Sequence, residues 1–132
     1  MIYTDLHTHM LFGVDDGAKT EMDMRQMLDA SYRDGVRTLC VTPHFQPAFY
    51  GDNRAAAEFA FGRLKNYAES TYPDLTLHFG NELGYYTGCR LAVHDGECRF
   101  LGGTFLLMDF SPDATLFQIG RASCRERVSL CV

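Results

Sequence analysis

The spacing of apolar residues in the first third of the chain predicts a strand, a helix and a second strand. Residues 1–5 alternate apolar and polar side chains, as a short strand does. Thr20 and Asp23 have capping-box spacing ahead of apolar residues that recur with helical periodicity, and Gly35 follows as a stop. Residues 36–42 are mostly β-branched or apolar, so we expect them to form a buried strand.

The pattern continues with a second helix and two further strands. Asn53 can cap a helix that runs to about Tyr72. Residues 75–83 then predict a third strand, 84–103 are glycine-rich and aperiodic, and 104–110 predict a fourth strand. Strands that alternate with helices imply right-handed crossovers. The fold class is therefore α/β with a parallel sheet.

Residues that can bind metal ions fall at the predicted strand ends. In chain order they are His7, His9, His44, Glu82 and Asp109. The carboxyl ends of parallel strands share one rim of an α/β fold, and ligands bind there. We therefore expect these five side chains to gather at one place.

The pair His7 and His9 suggests a metal chelate. Side chains at i and i+2 of a strand point to the same face, so both imidazoles can bind one ion. Imidazole nitrogen combined with carboxylate oxygen suits zinc, manganese or iron better than calcium or magnesium. A single His-x-His motif is weak evidence, but the acids downstream and His44 favour the metal interpretation. We expect His78 and His94 to be structural.

The net charge of the chain indicates which kinds of ligand it can bind. The chain has 132 residues, about one domain, and a net charge of −5. An acidic body argues against non-specific binding of nucleic acid, whereas clustered carboxylates suit a divalent cation. No apolar run approaches about 18 residues and no secretory pattern is present, so we expect a cytoplasmic protein without membrane insertion.

The last fourteen residues differ from the rest of the chain. They carry three arginines and one glutamate, which leaves −7 for everything before them, and the segment IGRASCRERV has no apolar period. Codons that encode this segment can spell a string similar to a common sequencing adapter. We expect a domain at 1–118 and a non-native tail at 119–132, with a basic exposed tail as the alternative. Resequencing the locus tests this, because the same codons inside a continuous gene would contradict it.

Three motifs together carry a family resemblance: DLHTHMLFGVDDGAKT at 5–20, TPHF at 42–45 and GNE at 80–82. Over residues 1–110 the chain resembles the N-terminal half of a polymerase and histidinol phosphatase (PHP) domain. Within that superfamily it is similar to bacterial metal-dependent protein-tyrosine phosphatases of capsule and exopolysaccharide synthesis. The resemblance implies an incomplete PHP domain, the N-terminal part of a distorted seven-stranded TIM-like barrel.

The resemblance also implies a ligand set for a cluster of three metal ions. His7 and His9 would bind one metal with Glu82, which would bridge to a second. Asp16 and His44 would hold a further metal. Manganese is the expected metal, with zinc or iron as alternatives. The family's remaining ligands lie in a C-terminal half that is absent here.

Three further acids differ from the family pattern or lie beside the implied ligands. Asp109 stands where the family usually has glutamate, so its side chain reaches one methylene less far. We expect Asp5 to orient an imidazole ring and Asp15 to shape the loop.

The resemblance implies hydrolysis of a phosphomonoester assisted by divalent metal ions. The implied substrate is a phosphotyrosine protein, such as a bacterial tyrosine kinase. Histidinol phosphatase, polymerase-associated exonuclease and an inactive metal-binding fragment are the alternatives. The five cysteines lack C-x-x-C spacing and no CxxxxxR loop is present, so we interpret them as free thiols, with Cys40 in the core.

Overall fold

The computed structural model of the chain describes residues 1–112 and Ala114. The expected tail at 119–132 lies outside the described residues. The elements in chain order are β1 Tyr3–Thr8, α1 Glu21–Arg33, β2 Val36–Val41, β3 His44–Phe45, α2 Pro47–Tyr50, α3 Arg54–Thr71, β4 Thr76–Phe79, β5 Glu82–Gly84, α4 Cys89–His94 and β6 Leu107–Asp109. No helix among the described residues is long and apolar enough to cross a membrane.

The strands form two parallel sheets of three strands each. The first sheet has the order β1-β2-β4, and the second has the order β3-β5-β6. Every pairing within these sheets is parallel. The predicted α/β class with parallel strands is confirmed in this form, while closure into a seven-stranded barrel stays a prediction.

Helix α1 begins where the sequence predicts. The Thr20 hydroxyl accepts a hydrogen bond from the Asp23 backbone N–H at 3.1 Å, and the Asp23 carboxylate accepts one from the Thr20 N–H at 2.8 Å. Both bonds satisfy N–H groups that have no partner inside the helix. Met24 and Leu28 are buried, so one face of α1 packs into the core.

Helix α3 also forms where it is predicted, but Asn53 has another role. Its side chain makes no capping hydrogen bond. The buried Asn53 amide instead donates to the carbonyl oxygens of Val14, at 3.3 Å, and His44, at 2.8 Å. Asn53 thus ties the start of α3 to the two segments beside the predicted metal ligands.

The predicted third strand is two strands in different sheets. β4 pairs with β2, whereas β5 pairs with β3 and β6. The break falls at Gly80 and Asn81, where a Cβ on Gly80 would lie 2.5 Å from the Leu101 side chain. A continuous apolar run gives no sign that a chain leaves one sheet for the next, because both halves are extended.

Other boundaries also differ from the prediction. β1 runs to Thr8 rather than ending at residue 5, and β6 is only Leu107–Asp109 rather than 104–110. The aperiodic stretch 84–103 contains the short helix α4. Parallel pairing in the folded state decides these ends, and local propensity does not encode it.

Two apolar clusters form the core. One lies between the first sheet and helices α1 and α3, and it includes Leu28, Leu39 and Leu64. The second lies against the second sheet and includes Phe45 and Leu83. Cys40, Cys89 and Cys98 are buried free thiols, which confirms the core position expected for Cys40.

Candidate metal centre

The His-x-His pair lies at the end of β1, with both rings near Glu82. His7 is the last but one residue of β1, and His9 follows the strand directly. Nε2 of His7 lies 3.6 Å from one oxygen of Glu82, and Nε2 of His9 lies 3.0 Å from the other. The structure therefore brings together the three residues that the resemblance assigns to one metal.

Strand pairing in the second sheet places Glu82 beside His44. β3 pairs with β5 so that His44 is opposite Glu82. Nδ1 of His44 lies 3.0 Å from Oε2 of Glu82, the same oxygen that faces His9. One carboxylate at the start of β5 thus contacts histidines from two different segments of the chain.

Asp16 reaches the cluster from the loop after β1. Its Oδ1 lies 3.0 Å from Nδ1 of His9 and 3.6 Å from Nε2 of His44. The loop folds back tightly, since Ala18 N–H donates to the His9 carbonyl and a Cβ on Gly17 would overlap that carbonyl oxygen. Glycine at this position is therefore required for the loop that presents Asp16.

Asp109 completes the set at the end of β6. It pairs with Gly84 of β5, two residues beyond Glu82. Among the described residues, three groups have ligand atoms that all lie within 4.8 Å of one another. They are His7 with His9 and Glu82, His9 with Asp16 and His44, and His44 with Glu82 and Asp109. All six residues predicted as ligands belong to these groups.

Three buried atoms of the cluster fit a metal ion better than they fit each other. His9 Nε2, His44 Nδ1 and Glu82 Oε2 are buried and make no hydrogen bond within the described structure, although both nitrogens lie 3.0 Å from the oxygen. Buried polar atoms are rarely left without a partner. Two ligand atoms that each lie about 2.1 Å from one ion at a right angle are roughly 3 Å apart. The donor set therefore fits divalent metal ions.

Comparison with known proteins identifies the family. The chain matches, over residues 3–126, the family described as capsular polysaccharide synthesis, CpsB/CapC. The chain belongs to the CpsB/CapC family. Tyrosine-protein phosphatase CpsB of Streptococcus pneumoniae is 34% identical over 116 residues, which are 87% of this chain and 48% of that protein. Tyrosine-protein phosphatase YwqE of Bacillus subtilis (strain 168) is 34% identical over 112 residues, 83% of this chain and 43% of that protein.

A solved structure agrees with this family membership. It is described as YwqE from Bacillus subtilis and CpsB from Streptococcus pneumoniae, unique metal-dependent tyrosine phosphatases. It matches with a TM-score of 0.77 and 26% identity over 91% of this chain and 49% of that chain. The chain thus spans about half the length of the curated CpsB/CapC relatives it matches.

The electrostatics of this CpsB/CapC cluster are dominated by carboxylates. Burial by itself lowers the pKa of His9, but the carboxylates of Glu82, Asp16 and Asp15 outweigh burial and raise that pKa to about 9. Burial raises the pKa of Glu82, and the surrounding histidines more than reverse this, so the pKa falls below its ordinary value. Without metal, a proton on His9 offsets part of the negative charge of the acids, and divalent cations can take the place of that proton.

Asp15 holds the loop after β1 in place, as expected. Its side chain is fully buried. One oxygen accepts the Gly17 N–H at 3.0 Å, and the other accepts the His44 N–H at 2.9 Å. This one carboxylate therefore joins the loop that carries Asp16 to the strand that carries His44.

The expectation for Asp5 is wrong, and sequence reasoning missed Thr42. Asp5 accepts a hydrogen bond from the backbone N–H of His7 at 3.1 Å, so it contacts the backbone and not the ring. The imidazole ring of His7 instead contacts Thr42, whose Oγ1 lies 2.7 Å from Nδ1 of that ring. Only the position of Thr42 just before Pro43 and His44 could have drawn attention to it.

Tyr50 is a second neighbour of the cluster that sequence reasoning missed. It ends helix α2, and its ring stacks on that of His44 with centroids 5.1 Å apart. The two histidines outside the cluster lie elsewhere: His78 is exposed in β4, and His94 hydrogen-bonds to Asp95. Neither belongs to a candidate metal-binding group among the described residues.

Proposed function

We propose that this chain supplies the N-terminal metal-binding half of a metal-dependent protein-tyrosine phosphatase that acts in capsular polysaccharide synthesis. The observation that supports this most directly is the Glu82 carboxylate oxygen placed 3.0 Å from unpaired nitrogens of His9 and His44. Such an arrangement suits metal coordination and is costly without it, because the atoms are buried.

The proposed ligands are His7, His9, Asp16, His44, Glu82 and Asp109. Three imidazoles and three carboxylates form a mixed nitrogen and oxygen site, which suits manganese, zinc and iron. Manganese is the metal we propose. Asp109 is an exposed member of the set, at the end of β6.

Metal ions in this site would activate a water molecule and neutralise charge on the phosphate. The chain's own residues determine the approach of the substrate. The side chains of His9, His44 and Glu82 are largely buried and form the closed side of the cluster. The side chains of His7 and Asp16 are 43% and 63% exposed, so a phosphate ester can approach the cluster at these residues.

The names of the relatives favour tyrosine phosphate as the substrate. CpsB and YwqE are both named tyrosine-protein phosphatases, and the matched family is one of capsular polysaccharide synthesis. The proposed partner is a phosphotyrosine protein, such as a bacterial tyrosine kinase. The net charge of −5 disfavours the exonuclease alternative, because a nuclease needs a basic track for its substrate.

The 132-residue chain by itself we propose to be weakly active or inactive. An apolar groove of about 370 Å³ lies between the two sheets, lined in part by Leu6, Cys40, Leu106 and Leu107. Leu6 in the outer strand β1 is 56% exposed. An open apolar surface beside a sheet edge favours association between copies of the chain.

Phosphate release by the full-length gene product tests the proposal. The assay compares a phosphotyrosine peptide, histidinol phosphate and an oligonucleotide, with and without manganese. We expect manganese to stimulate release from the phosphotyrosine peptide, and His7→Ala with His9→Ala to abolish it. His78→Ala is the matched control, because His78 is an exposed histidine of β4 outside the cluster.

Three outcomes would count against specific parts of the proposal. Full activity of the double variant would refute the metal site. Preference for histidinol phosphate or the oligonucleotide would refute the substrate class. Robust turnover by the 132-residue chain would refute the expectation that this half is insufficient.

A further inference from the structure

We infer that Thr42 is a positioning residue that fixes the tautomer of His7 so that Nε2 faces the metal. The inference rests on the proposed function, since it concerns the same site. Thr42 follows β2 directly and is fully buried. Its Oγ1 lies 2.7 Å from Nδ1 of His7, and the two residues are 35 positions apart in the chain.

The geometry decides which nitrogen of His7 serves as ligand. Nε2 lies 3.6 Å from the Glu82 carboxylate, so this nitrogen faces the cluster. A nitrogen that binds a metal must offer a lone pair, and neutral imidazole has a single N–H. The proton must therefore be on Nδ1, where the Thr42 hydroxyl oxygen can accept a hydrogen bond from the Nδ1–H group.

The Thr42 hydroxyl is itself held in place by the backbone. Its Oγ1 also accepts a hydrogen bond from the Thr8 N–H at 3.3 Å, and the Thr42 N–H donates to the Thr8 carbonyl at 3.0 Å. A hydroxyl oxygen has two lone pairs, so it can accept from Thr8 and His7 together. The hydrogen bonds that extend the β1–β2 pairing thus hold the Thr42 hydroxyl in position to accept a hydrogen bond from the His7 ring.

Burial makes this contact effective. His7 is the more exposed of the paired histidines, with 43% of its side chain open to solvent, against 17% for His9. Because solvent-exposed rings are less restrained, a buried hydrogen-bond partner on Nδ1 has a larger effect on the orientation of the His7 ring. Hydrogen bonds to the second nitrogen of a metal-binding histidine typically change metal affinity by about 10–100-fold.

Manganese binding by the 132-residue chain at neutral pH tests the inference, with free Mn²⁺ followed by electron paramagnetic resonance. Thr42→Val should weaken binding by about 10–100-fold, because it keeps the size of the side chain and removes the acceptor. Thr42→Ser should bind like the parent. Thr38→Val is the matched control, since it makes the same change within β2.

A double-variant comparison separates positioning from a general structural role. In a His7→Ala background, Thr42→Val should cause little further loss, because the ring on which it acts is gone. An equal loss in that background would overturn the inference. So would a Thr42→Val variant that binds manganese as the parent does. A parent chain that binds no manganese would overturn the proposed function and this inference together.

A measurement on the zinc-loaded parent does not depend on how the variants fold. Zinc is diamagnetic, so nitrogen-15 NMR of the imidazole rings in the zinc-loaded parent reports directly which nitrogen of His7 carries the proton. We expect His7 with its proton on Nδ1. A proton on Nε2 in the parent would overturn the inference, even if manganese binds.

Discussion

The metal-free protein should lose stability as the pH rises from about 6.5 to about 9. The pKa of His9 is about 9 in the folded chain, against about 6.5 for an unperturbed histidine. A group whose pKa is raised by folding binds its proton more tightly in the folded state. Its contribution is therefore fully present below about pH 6.5 and is lost as the pH passes through about 9.

The size of the effect follows from the same pKa values. Each pKa unit corresponds to about 1.4 kcal/mol, so His9 contributes about 3 kcal/mol to the free energy of unfolding at low pH. The side chains of His9 and Glu82 are only 17% and 12% exposed, so solvent screens this pair weakly, while it screens the more exposed Asp16 more strongly. This is a large part of the total stability of a small domain.

Urea unfolding in EDTA at about pH 6 and about pH 9.5 measures this loss. Tyrosine fluorescence can follow it, since the chain has seven tyrosines and no tryptophan. His9→Asn should remove the pH dependence, whereas His78→Asn, at an exposed position, should keep it. Equal stability of the parent at both pH values, or an unchanged slope in His9→Asn, would refute the reasoning.

Further predictions concern the loop, its buried support and the thiols. Gly17→Ala should destabilise the protein strongly and abolish manganese binding, because its Cβ would overlap a backbone oxygen. Gly62→Ala, in open space in helix α3, should stabilise it by about 0.5–1 kcal/mol in the same urea assay; a similar response of both variants would contradict the loop geometry. Asp15→Ala should cost about 2–4 kcal/mol in urea unfolding through two lost hydrogen bonds, and Asp15→Asn less; parental stability of Asp15→Ala would count against this. Cys98→Ser in the full-length protein should retain manganese-dependent phosphate release, because Cys98 is buried and burial raises its pKa to about 12; loss of activity in a folded variant would argue for a thiol mechanism.

Local sequence signals predicted the elements that depend on nearby residues. The capping box at Thr20 and Asp23 fixes the start of α1, because both of its hydrogen bonds join residues three apart. The β-branched run after Gly35 predicted β2 correctly, because the preference of these side chains for extended backbone is also local. The split of 75–83 into β4 and β5 was missed, since it depends on which distant strand each half pairs with.

For the candidate site too, some features follow from the local sequence and others depend on strand pairing. Residue type and position at strand ends were enough to select His7, His9, His44, Glu82 and Asp109 as candidate ligands, and the resemblance added Asp16. Their assembly around one carboxylate depends on parallel pairing between strands far apart in the chain.

The sequence by itself determined the chemistry available to this protein: imidazoles and carboxylates at strand ends, and an acidic body. Only the tertiary structure decided which oxygen meets which nitrogen. It also assigned Thr42 to the ring of His7 and Asp5 to the backbone. The physical reason is that hydrogen bonds and metal coordination act over about 3 Å, and contacts between residues 35 positions apart are set by strand pairing and burial, which no local pattern encodes.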